Sequence, residues 1–178
     1  MNQCCSKIIV KGCNLAFWEL GKDNLWTCSL ECYCGHGRNG FSARKREGDG
    51  CTPVGLFPLE MAFGTDAGME TALPYRQIGR DSYWSGEKDD YNSWVEVAPG
   101  SRDMSLSEHL ADYPVQYRFA MSIGYNTALP EWGKGSAIFL HCKGPSGWPT
   151  AGCISVPSPV AKFLVERCSP GSIIQILG

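Results

Sequence analysis

Long apolar runs are missing from this 178-residue chain, and no window approaches the roughly 20 residues that a membrane-spanning helix needs. Charge of one sign is equally sparse. Formal net charge is −2 and no basic cluster is longer than Arg44-Lys45-Arg46, which argues against a nucleic-acid or polybasic membrane-binding role. The opening Met1-Asn2-Gln3-Cys4-Cys5 has neither a basic region nor a hydrophobic stretch, so no signal peptide is visible. There are no internal repeats and no low-complexity tract, and residues 1–178 read as one domain, long enough to bury a substantial core. Histidine is scarce, with only His36, His109 and His141 present.

Cysteine, by contrast, is abundant. Ten cysteines in a chain this size suggest a disulfide framework. If one of them serves as a nucleophile, nine remain and at least one more is unpaired. Cys28, Cys32, Cys34 and His36 also invite a reading as a Cys3His zinc site. Residues 27–36 look like a strand, however, with Cys28, Leu30, Cys32, Cys34 and His36 on one face at period two. Neighbours on such a face stand about 6.6 Å apart, too far for zinc–sulfur bonds of about 2.3 Å. A small cysteine-lined core is therefore preferred over zinc.

The punctuation is that of a mainly β protein. Candidate strands are 7–10, 15–20, 26–34, 55–62, 75–78, 94–97, 116–125, 136–142, 153–156 and 173–177, with Gly or Pro near most gaps. Two helices are expected. Ser158-Pro159 supplies an N-cap and a first-turn proline for a helix ending at Ser169-Pro170-Gly171. Ser105-x-x-Glu108 has the capping-box pattern for a shorter helix running to about Tyr113. The sum is a β-sandwich of mixed sheets with one or two peripheral helices. Residues 64–100 are the least regular and the richest in aromatics, with Tyr75, Tyr83, Trp84, Tyr91 and Trp94 suited either to stacking on a sugar or peptide, or to covering a sheet edge.

The most informative stretch is 135–157. Ala137-Ile138-Phe139-Leu140 reads as a buried strand ending on His141, a Gly/Pro/Ser-rich loop follows, and Thr150-Ala151-Gly152 leads into a second short strand beginning at Cys153. A histidine at one strand end and a cysteine at the start of the next can meet across the loop, as a cysteine nucleophile and its base require. Gly152 lets the backbone approach a substrate and aim N–H groups at a developing oxyanion. Taken singly, His141 could be a satisfied core histidine and Cys153 a small buried hydrophobe. Cys142 alternates to the other face and reads as structural. His36 and His109 are assigned no catalytic role.

This segment resembles the catalytic segment of the L,D-transpeptidases (YkuD-type), cysteine enzymes that remodel bacterial peptidoglycan. Glu47-Gly48-Asp49-Gly50-Cys51-Thr52-Pro53-Val54-Gly55-Leu56-Phe57 is similar to the family's upstream signature, and Tyr75-Arg76-Gln77, Tyr83-Trp84, Tyr91-Asn92 and Tyr125-Asn126 fall where a branch of the family carries similar residues. The widespread form has Ser/Thr-His-Gly-Cys followed closely by Arg or Asn. This chain has Thr150-Ala151-Gly152-Cys153 followed by Ile154-Ser155, and its loop after His141 is shorter.

The resemblance implies the family's fold and its chemistry. His141 would take the proton of Cys153, and Cys153 would attack the carbonyl of the third residue of a stem tetrapeptide. D-alanine would leave, and the thioester would pass to an amine of a neighbouring stem, giving a 3→3 cross-link. Water as acceptor would make the protein an L,D-carboxypeptidase. Oxyanion and substrate contacts fall to Gly152, Ala151, Thr150, Tyr125 and Trp84. No metal or organic cofactor is implied. The expected partner is the peptidoglycan stem peptide, the expected state a monomer, and the expected location the cell envelope or extracellular space, with any signal peptide trimmed or another export route in use. A catalytically silent cell-wall-binding relative, and a redox or metal-storage protein built on the ten cysteines, stay open beside it.

Overall fold

The computed structural model describes residues 5–178. Its strands are β1 (Ser6–Lys11), β2 (Asn14–Leu20), β3 (Trp26–Tyr33), β4 (Phe41–Ser42), β5 (Thr52–Pro53), β6 (Gly55–Gly64), β7 (Tyr75–Gln77), β8 (Ser82–Trp84), β9 (Trp94–Glu96), β10 (Glu108–His109), β11 (Ala120–Ile123), β12 (Phe139–Cys142), β13 (Ile154–Val156) and β14 (Ile173–Ile176), with the helix α1 (Ser158–Arg167). A nine-stranded mixed sheet runs β13-β12-β11-β6-β14-β1-β2-β3, with β7 added alongside β6. A three-stranded sheet β10-β8-β9 and the short pair β4-β5 complete it.

Alternation explains the first half. Ile8 and Val10 of β1 and Leu15 and Phe17 of β2 all point into the core and are almost fully buried, as period-two patterning requires. The ten-residue β6 then joins the halves. Its Gly55–Pro58 part pairs with β14, and its Leu59–Phe63 part pairs with β11.

Beyond that junction every residue of β11, β12 and β13 is buried, because both faces are covered. On one face Met121, Leu140, Cys142, Ile154 and Val156 pack with Ala161, Leu164 and Val165 of α1. On the other, Ala120, Phe139 and Cys153 pack with Phe63, Trp84, Leu110 and Tyr117. The second face carries the site.

The helix at residues 158–167 forms as the sequence suggests, one residue displaced: Pro157 takes the cap position and Pro159 stands in the first turn. The second expected helix does not form. Residues 105–113 instead give β10 and a single 3-10 turn, Leu110–Asp112. The capping-box groups are engaged elsewhere: Glu108 accepts from Tyr117 Oη, and the Ser105 N–H donates to Asp103 Oδ1 at 3.0 Å. Of the expected strand at 116–125 only Ala120–Ile123 pairs, because the Tyr117 N–H closes a turn onto the Tyr113 carbonyl at 2.8 Å. β8 lies outside the expected strands. Its three residues, Ser82-Tyr83-Trp84, sit within an irregular segment and are defined by pairing with β9 and β10.

Candidate active site

Parallel pairing of β12 with β13 sets His141 opposite Ser155, with Cys153 one residue before β13. Phe139, His141, Cys153 and Ser155 therefore share one face. His141 and Cys153 line a cleft of about 550 Å³, with Trp84, Glu108, Tyr117, Lys45 and the 144–152 loop around them.

His141 Nδ1 lies 2.8 Å from the Cys142 carbonyl. A carbonyl only accepts, so Nδ1 carries the proton and Nε2 is left as the basic nitrogen. The ring also meets Tyr117 edge-to-face, with centroids 5.5 Å apart. Burial pushes the imidazole down to about 4, and the Cys142 carbonyl offsets this in part.

The Cys153 thiol donates to the Ala137 carbonyl at 3.2 Å and accepts from the Phe139 N–H at 3.3 Å. No hydrogen bond joins it to His141 among the described residues, so a turn of the side chain separates this arrangement from proton transfer. Burial first, then the Glu108 charge, pushes the thiol up to about 12, against the opposing influence of the Phe139 N–H and the Lys45 ammonium.

Ala137 holds its carbonyl there at φ 52, a left-handed conformation that costs a non-glycine residue about 1–2 kcal/mol. Asn92 maintains it. Its Oδ1 accepts from the Ala137 N–H at 3.0 Å and from Trp84 Nε1 at 2.8 Å, while its Nδ2 donates to the carbonyls of Tyr125 at 3.0 Å and Asn126 at 2.7 Å. All four hydrogen-bonding positions of this amide are filled.

The 150–153 loop is held from below by Thr52. Its buried hydroxyl accepts from the Gly37 N–H and donates to the Gly152 carbonyl, both at 2.8 Å. Close approach needs glycine here. A Cβ at Gly152 would lie 2.9 Å from the Cys51 carbonyl oxygen, and one at Gly35 would lie 2.0 Å from the Trp148 carbonyl oxygen. Thr52→Val keeps the shape and removes both bonds, leaving two buried backbone groups unpaired. A loss of about 3 kcal/mol is expected, read from the urea midpoint; an unchanged midpoint would remove Thr52 from this role.

A family model for the L,D-transpeptidase catalytic domain, YkuD, matches residues 8–176. The chain belongs to that family. Among solved structures, the YkuD domain described here is similar to the helical cell shape determining protein Pgp2 from Campylobacter jejuni, with a TM-score of 0.56 and 17% identity over 97% of this chain and 47% of that one. The K307A mutant of the same protein gives 0.55 and 17% over 97% and 46%. The chain thus spans about half the length of these structures, and at this identity the likeness shows the fold. The NMR structure of the catalytic domain from the E. faecium L,D-transpeptidase is also similar, at 14% identity and a TM-score of 0.45 over 99% of this chain and 98% of that one. No curated protein sequence matches.

Within the YkuD domain the anticipated residues are not all equivalent. Thr150 caps the loop, its hydroxyl accepting from the Gly152 N–H at 3.1 Å and donating to the Cys153 carbonyl at 2.7 Å. That engages the Gly152 N–H, and among the described residues it leaves the Ala151 and Cys153 N–H groups without an acceptor. Trp84 lines the cleft with its Nε1 bound to Asn92. Tyr125 does not line it. Its ring packs on Phe57, its hydroxyl donates to the Lys134 carbonyl at 2.7 Å, and only its backbone carbonyl serves the site, through Asn92.

Cys28, Cys32, Cys34 and His36, for which a core lining is preferred over zinc, do not converge. Cys28 Sγ donates to the Leu30 carbonyl, Cys34 Sγ points to the Gly12 carbonyl, and His36 turns to Cys13. The nine described cysteines are free thiols; Cys4 lies outside the described residues.

Two charged groups escaped the sequence reading. Lys45 has a buried side chain held by Asp49 Oδ1 at 2.7 Å. Residues 45–49 lie in turns and not in a helix, so no local pattern marks this pair. Glu108 is half-buried beside Tyr117 and is itself raised by desolvation. Because Glu108 opposes the thiolate, Glu108→Gln is expected to speed iodoacetamide capture of Cys153 at pH 8 by about three- to tenfold. Slower or unchanged capture would remove the charge argument.

Proposed function

We propose that this YkuD domain, read as one catalytic unit, is a cysteine L,D-transpeptidase acting on peptidoglycan stem peptides in the cell envelope. One observation carries the reading: His141 has its Nδ1 fixed by the Cys142 carbonyl and, among the described residues, no hydrogen bond on its Nε2, on the same cleft-facing side of the sheet as Cys153. That is a nucleophile, a base and an orienting acceptor in one cleft.

In this mechanism Nε2 takes the Cys153 proton as the sulfur attacks the stem-peptide carbonyl. The Ala151 and Cys153 N–H groups receive the oxyanion. The imidazolium then protonates the departing D-amino acid, and the acyl group waits as a thioester. An amine acceptor completes transpeptidation and water completes an L,D-carboxypeptidase reaction. The chain is similar to a helical cell shape determining protein, which supports a role in remodelling the wall.

A second reading, a silent relative that only grips the wall, draws on the Cys153 thiol, pushed up to about 12 and turned toward Ala137. Mass spectrometry of a disaccharide-tetrapeptide incubated with the protein separates the readings. Dimers or D-amino-acid exchange support the transpeptidase and tripeptide alone the carboxypeptidase. The absence of any product supports the silent relative.

A further inference from the structure

A second thiol–imidazole pair lies outside the cleft. Cys13 Sγ is 3.6 Å from His36 Nε2, and His36 Nδ1 is 2.9 Å from the Gly37 carbonyl. The carbonyl fixes the proton on Nδ1, so Nε2 presents its lone pair to the Cys13 thiol. Phe41 backs the imidazole, with ring centroids 4.4 Å apart. Nucleophile, base and orienting acceptor are thus in contact here, whereas Cys153 is turned away from His141.

A third group completes the set. The β2–β3 register pairs Leu15 with Cys32 and Asn14 with Tyr33, and its next step sets Cys13 opposite Cys34, whose N–H donates to the Cys13 carbonyl at 2.8 Å. Directly opposed antiparallel residues have Cα atoms about 4.5–5.5 Å apart, within the range of about 4.4–6.8 Å that a disulfide spans. Cys34 Sγ points to the Gly12 carbonyl at 4.0 Å, toward the turn that carries Cys13. Cys13 is half-buried and Cys34 fully buried, and burial with the nearby Cys32 and Cys13 thiols pushes Cys34 up to about 12. Cys13 is therefore the group that meets reagents, and Cys34 the protonated thiol behind it.

We propose that Cys13 is a hydroperoxide-reactive thiol, with His36 as its base and Cys34 as its resolving partner. His36 Nε2 takes the Cys13 proton and the sulfur attacks the terminal peroxide oxygen. The S–O bond forms, the O–O bond breaks, and the departing alkoxide, or hydroxide from hydrogen peroxide, takes the proton back from His36. Cys34 then attacks the sulfenic sulfur. The S–S bond forms, the S–O bond breaks and water leaves with the Cys34 proton. The two sulfurs together lose two electrons and the peroxide gains two.

The position gives this chemistry a route to the cleft. Gly35 exchanges hydrogen bonds with Ser155 at 2.8 and 3.0 Å, the Thr150 N–H donates to the His36 carbonyl at 3.0 Å, and the Arg38 N–H donates to the Thr150 carbonyl at 2.9 Å. Residues 35–38 are thereby tied to both sides of the loop that presents Cys153.

The test is one equivalent of hydrogen peroxide on the reduced full chain, a maleimide quench, and peptide mass spectrometry without reduction. A Cys13–Cys34 linked peptide is expected as the first product, and this readout needs neither a variant nor activity toward peptidoglycan. Cys34→Ser is expected to trap a dimedone-reactive sulfenic acid at Cys13, and His36→Gln to slow Cys13 oxidation about tenfold or more. Oxidation of Cys5, Cys28 or Cys51 ahead of Cys13, or a rate indifferent to His36→Gln, overturns the proposal. Closing the disulfide is expected to change iodoacetamide capture of Cys153 about fivefold or more; an unchanged rate overturns the route through residues 35–38.

Discussion

On the proposed mechanism, Cys153→Ala is expected to abolish product from the disaccharide-tetrapeptide, a loss of about 10⁴-fold or more, because the thioester forms on Cys153. The other thiol on this strand pair, Cys142, faces α1 with its Sγ donating to the Phe119 carbonyl, so it cannot substitute. The loss must be separated from unfolding. Removing the sulfur leaves the Phe139 N–H without its 3.3 Å partner, which costs about 1 kcal/mol. The variant should therefore stay folded, with a urea midpoint only slightly lowered. Cys153→Ser is a useful companion. Its hydroxyl can keep the bonds to Ala137 and Phe139, so it should be as stable as the parent and still inactive, since a serine hydroxyl beside a lone imidazole is a far weaker nucleophile than a thiol. Turnover surviving in the folded Cys153→Ala protein would remove Cys153 from the mechanism.

The elements legible in the sequence were those whose pattern is local. β1, β2, β3, β6 and β14 announce themselves as short apolar segments between Gly and Pro punctuation, and α1 by its Pro159 and the apolar spacing behind it. His141 and Cys153 were visible for the same reason, since each stands at the end of a short buried run and one loop joins them. What was not legible depends on distant segments. Ser105-x-x-Glu108 is a sound helix signal by itself, yet Glu108 is taken by Tyr117 and Ser107 Oγ by Glu87, at 3.0 Å, before a helix can use the segment. Asn92 belongs to a Tyr-Asn pair that resembles the family, but only the folded chain shows its role, bringing it to Ala137, 45 positions away. Thr52 stands within a motif, but its hydroxyl reaches the Gly152 carbonyl across 100 positions of sequence. Tyr125 shows the converse. Its ring suggested a substrate contact, while its backbone carbonyl is the part that matters to the site.

His141→Gln should lower turnover by about 10³-fold, in the range for loss of a general base, and it should also change how stability depends on pH. In the folded protein burial holds this imidazole at about 4, against about 6.5 in an unfolded chain. Between those values the unfolded state binds a proton that the folded state refuses. The native state is therefore fully favoured with respect to this group above about pH 6.5 and loses stability as pH falls toward 4. The loss is about 3 kcal/mol once complete. The variant has no proton to bind at this position, so its urea midpoint should fall less steeply across that window while differing little from the parent at pH 7.5. Parallel curves for the two proteins would mean that His141 is not held neutral by burial. The same neutrality bears on catalysis. With the imidazole at about 4 and the Cys153 thiol at about 12, the unliganded protein holds a thiol and a neutral imidazole in one cleft, without a preformed ion pair, between roughly pH 5 and 10. Turnover through His141 should then stay nearly flat from pH 6 to 9. Iodoacetamide capture of Cys153, which follows the thiolate, should climb about tenfold per pH unit over the same range. A plateau in that capture near neutral pH would instead reveal a thiolate–imidazolium pair and replace the general-base step with a preformed nucleophile.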